Sequence, residues 1–301
     1  MKATERILGA ALIALSLNAC NVQESFNTEV HGHRGATGSM PGNTLPSFLK
    51  AIDLGCDYIE MDVVLTKDME VLVSHEPWMD PASCLLPDGR PIPLQQARQH
   101  NIFRMTLKEA QRYDCGSIAD PRFPQQQQLV AFKPSLREVV EEADEYAFMS
   151  GNLNPSFNIE IKSDPQWYGE FQPEPAEYAQ AVMSSIISIG LADRCIIQSF
   201  DPAILNEVNR IDPSIKCALL VENDLGLEGN LARLGFTPAI YSPNFTLVDR
   251  ELVKALRDRD LQLLVWTVNE KKDIQRMLEL GVDGIISDHP ERVVELIEAR
   301  E

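Results

Sequence analysis

Basic residues are scarce in this sequence. Its 27 Lys and Arg face 45 Asp and Glu, for a formal net charge of −18. Such a surface repels polyanions and anionic bilayers, which argues against nucleic acid or a lipid face as a partner. No Cys-x-x-Cys pair occurs among the six cysteines, which argues against a structural zinc site. No Gly-x-Gly-x-x-Gly follows any apolar run, so a dinucleotide-binding open sheet lacks its signature. Long hydrophobic runs are also missing: the stretch Ile7 to Leu17 is too short for a stable bilayer span. What remains is ordinary for a globular protein with a full core, with 44% hydrophobic and 24% charged residues among 301.

The N-terminus reads as an export segment. Lys2 and Arg6 precede the Ile7–Leu17 run, the layout of a signal peptide removed as residues 1–19. The segment closes on Leu17-Asn18-Ala19-Cys20, which resembles a bacterial lipoprotein cleavage box with Cys20 lipidated. Asn18 stands where a small residue is more usual. Residues 20–28 then form the modified cysteine and a polar tether, and a single folded domain occupies 29–301. The expectation is a cell-envelope lipoprotein, facing the periplasm or the outside, that meets the membrane only through its lipid. Five further cysteines remain, an odd number that cannot all pair internally. Cys84 and Cys115 share a loop-rich stretch, as one disulfide or two thiols. Cys195 and Cys217 sit in apolar strand patterns, where inert core thiols belong.

Eight apolar runs alternate with amphipathic stretches. They begin at Val30–His33 and continue through 58–65, 157–161, 195–199, 217–221, 239–241, 261–266 and 284–287. Their continuous apolar character fits buried parallel strands. Helical patterns lie between them, at 44–54, 135–145, 175–189, 202–210, 227–234, 246–257, 271–280 and 290–299. Thr44 is a candidate cap, and Ser135 with Glu138 has capping-box spacing. The pattern predicts a (β/α)₈ TIM barrel, with an open doubly wound sheet as the alternative. Residues 76–134, rich in proline and carrying the run Gln125–Gln128, are too long for an ordinary βα loop. They are expected as an insertion over one face of the barrel, holding a short helix near 106–113.

Polar residues inside apolar strands mark the chemistry. Glu60 and Asp62 lie two apart on one strand, so their side chains share a face. Two carboxylates held in a barrel interior need a cation or basic partners, and oxygen ligands suit Ca²⁺ or Mg²⁺. An arginine salt bridge or a solvated strand edge accounts for the spacing equally well. Asn158, Glu160 and Lys162 repeat the geometry, offering a third carboxylate and an ammonium for a phosphate oxygen, or else a structural Glu–Lys pair. His33 follows the first strand and His75 ends Val71–His75; together they supply a general acid and a general base. Arg34 presents a fork for phosphate. His31 is a possible support residue, and His100 and His289 carry no assignment.

His33-Arg34-Gly35, Asn43-Thr44-Leu45, Gly55 through Val63, Thr66-Lys67-Asp68 and Ser74-His75 together resemble the glycerophosphodiester phosphodiesterase family. Asn158 through Lys162, Gln198 through Asp201, Trp266 through Asn269 and Gly281 through Asp288 continue the resemblance in family order. It implies a TIM barrel with one divalent cation, Ca²⁺ or Mg²⁺, on Glu60, Asp62 and Glu160. It also implies His33 and His75 as the acid–base pair, with Arg34 and Lys162 on the phosphate of a small-molecule glycerophosphodiester. In the family picture the glycerol 2-hydroxyl attacks phosphorus, and water opens the cyclic phosphate to glycerol 3-phosphate. Trp266 is a candidate wall against the glycerol carbons, or a residue packing the barrel mouth. One departure stands out: Gly42 replaces the glutamate of the usual Pro-Glu-Asn-Thr. Two other readings accompany this one: a membrane-proximal lysophospholipase D-type or glycerophosphoinositol phosphodiesterase, and a lipoprotein that binds phosphodiesters without turnover.

Overall fold

The computed structural model describes residues 28–152 and 154–300. The export segment, the lipidation site at Cys20 and the tether up to residue 27 lie outside the described residues.

Eight parallel strands close into a barrel. In chain order they are β1 (Glu29–Gly32), β2 (Tyr58–Leu65), β4 (Ser156–Ile161), β5 (Cys195–Ser199), β6 (Lys216–Val221), β7 (Ile240–Pro243), β8 (Gln262–Val265) and β9 (Gly284–Ser287). The order β1-β9-β8-β7-β6-β5-β4-β2 returns to β1 through a parallel β1–β2 pairing. A short β3 (Val71–Val73) folds back antiparallel on β2 ahead of the insertion. Closure leaves no barrel edge, and the strands carry apolar residues on both faces because helices cover the outside and side chains fill the inside. Outward residues such as Ile59, Met61, Phe157 and Ile159 pack in one large core under the helices. A smaller inner layer of Ile196, Ala218, Ile240, Leu264 and Ile286 fills the barrel itself.

The helices fall where the periodicity places them: α1 (Leu45–Asp53), α3 (Leu136–Ser150), α4 (Pro175–Ser188), α5 (Pro202–Ile211), α6 (Gly226–Leu231), α7 (Arg250–Arg257), α8 (Lys271–Leu280) and α9 (Pro290–Glu298). Ser135 caps α3 in a full capping box with Glu138. Thr44 does not cap α1: its hydroxyl donates to the Pro41 carbonyl at 2.5 Å. Pro46 at the second helical position has no N–H to offer such a cap.

The insertion carries the short helix α2 (Leu107–Ala110) and its own core of Val64, Leu72, Met79, Cys84, Ile92, Ile102 and neighbours. Cys84 and Cys115 are joined in a disulfide across it. It reaches across the catalytic end of the barrel. On one side Gln126 Nε2 donates to the carbonyls of Thr37 and Met40. On the other, Asn101 donates to the Glu170 carbonyl and Trp78 packs edge-on against Trp167.

Candidate active site

The site is assembled at the C-terminal ends of the strands, where barrel loops meet. Register explains the carboxylate cluster. Asp62 on β2 pairs directly with Glu160 on β4, and Glu60 lies two residues earlier on the same face. One oxygen from each of Glu60, Asp62 and Glu160 lies within 4.8 Å of the others, and all three side chains are buried. That span matches oxygens sharing one ion at roughly 2.4 Å each.

Electrostatics point the same way. Burial, reinforced by Asp62 and Glu160, pushes the Glu60 carboxyl well above its ordinary range. Burial also raises Glu160, to about 7, although the Lys162 charge opposes it. Asp62 goes the other way: burial would raise it, but Arg34, His75, Lys162 and His33 together hold it far down. Its Oδ1 has no hydrogen-bond partner among the described residues, and Lys162 Nζ stands 3.8 Å from it. An orphaned carboxylate oxygen facing two other buried carboxylates is the donor set a hard divalent cation requires. The three residues therefore fit such an ion.

Cationic groups flank the triad. A tight turn ends β1: Arg34 takes a left-handed φ of 52° and Gly35 follows at 85°. A side chain at Gly35 would collide with Ser47 backbone atoms at 2.5 Å. The turn aims the Arg34 N–H at Glu60 Oε2, 2.8 Å away, and brings Arg34 Nε to 3.1 Å from Asp62 Oδ2. Asn43 donates to the same Asp62 oxygen at 2.7 Å. Lys162 Nζ contacts Glu160 at 2.7 Å. The arginine and lysine partners foreseen as alternatives to a metal are thus present beside the triad, yet they leave Asp62 Oδ1 unmet.

The two histidines have different neighbours. His33 Nδ1 sits 2.6 Å from Asp288 Oδ1, and its Nε2 faces Glu60 Oε2 at 4.0 Å. His75 Nδ1 sits 2.8 Å from Glu76, and its Nε2 is 3.2 Å from Lys162 Nζ. Burial lowers the His75 pKa, with Arg34 and Lys162 assisting. A cavity of about 410 Å³, counting space open to solvent, is lined by His33, Arg34, Glu60, His75, Glu160 and Lys162 among others. Trp266 also lines it; the indole N–H donates to the Ser242 carbonyl at 2.8 Å and the ring stands edge-on to Phe200.

Comparison with known proteins agrees with this geometry. The model of the glycerophosphoryl diester phosphodiesterase family matches residues 33–292. The chain belongs to that family. It is 30% identical over 272 residues to a glycerophosphodiester phosphodiesterase of Caldanaerobacter subterraneus subsp. tengcongensis, covering 90% of this chain and 98% of the relative. It is 29% identical to one from Bacillus altitudinis, over 90% of this chain and 98% of that one. Among solved structures, a Silicibacter pomeroyi protein assigned as a glycerophosphoryl diester phosphodiesterase superposes with a TM-score of 0.79 at 30% identity, covering 91% and 94% of the two chains. The glycerophosphodiester phosphodiesterases are phosphoric diester hydrolases, and this chain is an enzyme of that class.

Against the family pattern, Gly42 proves to be tightly enclosed. A side chain there would place its Cβ 2.6 Å from Thr37 Oγ1 and 3.2 Å from Arg34 Cβ. Several residues went unassigned in the sequence. Asp288 and Glu76 support the histidines, Asn43 holds Asp62, and Gln198 Nε2 donates to Glu60 Oε1 at 3.0 Å. Lys133 also went unassigned. It is buried in the returning arm of the insertion with no hydrogen-bond or ion-pair partner among the described residues, and burial lowers its pKa to about 8. His31 is wholly buried and stacks on Tyr58 at 4.3 Å, while His100 bonds Tyr113 and His289 bonds Glu291.

Proposed function

We propose that this chain hydrolyses glycerophosphodiesters to glycerol 3-phosphate and an alcohol, with one divalent cation, Ca²⁺ or Mg²⁺, on Glu60, Asp62 and Glu160. The observation that carries the reading is the pair of histidines, each with Nδ1 on a carboxylate, His33 Nε2 toward Glu60 of the triad and His75 Nε2 toward Lys162, which itself contacts Glu160. When bound, the cation neutralises negative charge building on the phosphoryl oxygens.

The protein's own groups divide the proton transfers. Lys162 is a donor only, so the His75 Nε2 it approaches offers a lone pair, with the ring proton on Nδ1 toward Glu76. His75 is therefore the base for the glycerol 2-hydroxyl. Asp288 supports an imidazolium at His33, whose Nε2–H gives its proton to the departing alcohol. The roles reverse when water opens the cyclic phosphate. Arg34 and Lys162 hold phosphoryl oxygens, and Trp266 with Phe200 walls the glycerol carbons. A binding module without turnover would have no use for two carboxylate-backed histidines. The layout of Lys2, Arg6, the Ile7–Leu17 run and Cys20 supports export and attachment through a lipid on Cys20.

The test incubates purified protein with glycerophosphocholine or glycerophosphoethanolamine and follows glycerol 3-phosphate through a coupled dehydrogenase. Product is expected with added Mg²⁺ or Ca²⁺, abolished by chelator, and reduced by a factor on the order of 10²–10⁴ in His33→Ala and His75→Ala. Full activity in either alanine variant would remove that histidine from the reaction.

A further inference from the structure

Gln198 belongs to a sequence motif to which the proposed chemistry gives no part. It is buried on β5 beside Glu160, and it borders the cavity. Its Nε2 donates to Glu60 Oε1 at 3.0 Å, and its Oε1 accepts from Asn158 Nδ2 at 3.2 Å. Asn158 Nδ2 also lies 3.4 Å from His31 Nδ1, and His31 Nε2 lies 3.6 Å from Glu29 Oε2. Asn158 and His31 are fully buried, whereas Glu29 is partly exposed at the opposite end of the barrel. A polar line therefore runs inside the barrel from His31 through Asn158 and Gln198 to Glu60, while His31 Nε2 makes no hydrogen bond among the described residues.

Its direction is dictated by elementary hydrogen-bond chemistry. As a ligand to a divalent cation Glu60 is ionised and only accepts, so Gln198 turns its amide N–H₂ toward it and its carbonyl toward Asn158. Asn158 must then present its own N–H₂, one proton to Gln198 and one to His31. That leaves His31 Nδ1 as an acceptor with its proton on Nε2, facing Glu29. Reversing any one amide would set oxygen against oxygen at the next contact. At the far end, the Arg34 N–H fixes the other Glu60 oxygen at 2.8 Å.

We propose that Gln198 is a positioning residue, locked in orientation by Asn158 and His31, which sets the Glu60 carboxylate for the divalent cation. This rests on the reading of Glu60 as a ligand. With one N–H on each oxygen, the carboxylate plane is fixed before an ion arrives, and each oxygen keeps a lone pair for it. Supports of this kind are typically worth about 10–100-fold in metal affinity.

The experiment measures Mg²⁺ and Ca²⁺ binding by titration calorimetry on the purified full chain, its Gln198→Met, Asn158→Leu and Ser199→Ala variants, and Glu60→Gln. Gln198→Met, similar in length but without a donor, is expected to weaken binding about 10–100-fold. Asn158→Leu never touches Glu60, yet it is expected to weaken binding at least about threefold by releasing Gln198 to flip. Ser199→Ala removes an equally buried hydroxyl from the same strand, one that donates to the Ile161 carbonyl, and should leave binding unchanged. Binding by Gln198→Met within threefold of the parent would overturn the proposal. Should that variant not fold by circular dichroism, unchanged binding by Asn158→Leu does so instead. Absence of binding by the parent, or parent-like binding by Glu60→Gln, would count against the ligand assignment itself; tight parent binding indifferent to Gln198 defeats only this inference.

Discussion

Asp288 lies one residue past the last barrel strand, and Asn269 holds it with two hydrogen bonds, Nδ2 to its carboxylate at 2.7 Å and its backbone N–H to Oδ1 at 2.9 Å. Burial would raise its pKa, but the charge and hydrogen bond of His33 outweigh burial and hold it at about 2, against an ordinary 3.8. A carboxyl depressed on folding stabilises above its unfolded value and loses that contribution as pH falls through the folded one. Asp288 thus contributes about 2 kcal/mol above pH 4, lost toward pH 2. Asp288→Asn should lower kcat by a factor on the order of 10² or more with little change in KM, since the general acid proposed at His33 would lose its carboxylate partner. Steady-state kinetics at pH 7 check this, and a variant with parental kcat would show that His33 needs no such support. Glu60, Asp62 and Glu160 were legible because carboxylates two apart on an apolar strand break its pattern locally. Asp288 and Gln198 were not, because their partners stand 255 and 138 residues away in sequence and only barrel closure brings them together.

The strands and helices were legible because eight buried parallel strands carry unbroken apolar runs, and proline or a capping box marks the start of several helices. The insertion was visible only as an interruption. Its disulfide was one of two options, and its small core follows no periodicity. Its returning arm alternates outward Val130 and Phe132 with inward Ala131 and Lys133. Lys133 is the costly member. An ammonium buried without a partner destabilises the fold wherever it stays protonated in both states, which is below about pH 8. Between about 8 and the ordinary 10.5 the folded protein releases this proton first and the cost fades. Lys133→Met is therefore expected to stabilise the protein by about 1–3 kcal/mol at pH 7, with the gain shrinking above pH 8. Urea unfolding at pH 7 and pH 10 measures it; destabilisation at pH 7 would mean the ammonium has a stabilising role.

At the scale of the whole molecule, −18 of formal charge includes three carboxylates packed into one buried corner. Folding without a cation leaves them mutually repelling, so an ion that binds only the folded state must raise stability. At 100 times its dissociation constant the gain is about 2.7 kcal/mol, which is several degrees in Tm for a domain of this size. Thermal unfolding in millimolar Mg²⁺ or Ca²⁺ against excess chelator tests this, with equal ionic strength supplied as KCl. Identical melting in the two would remove the cation from the folded protein.

The barrel also has two ends, and the chain enters at the one away from the chemistry. The Thr28 hydroxyl donates to the Val282 carbonyl and the Glu29 N–H to the Asp283 carbonyl, where strands β9 and β1 begin. His33 and Asp288 stand where those strands finish. A lipid on Cys20 would be tied to Thr28 by chain spanning at most about 28 Å. Moored in that way, the enzyme would turn its back to the bilayer and open its mouth to the aqueous phase. Encounters would then be three-dimensional collisions with water-soluble diesters, not lateral captures from the leaflet.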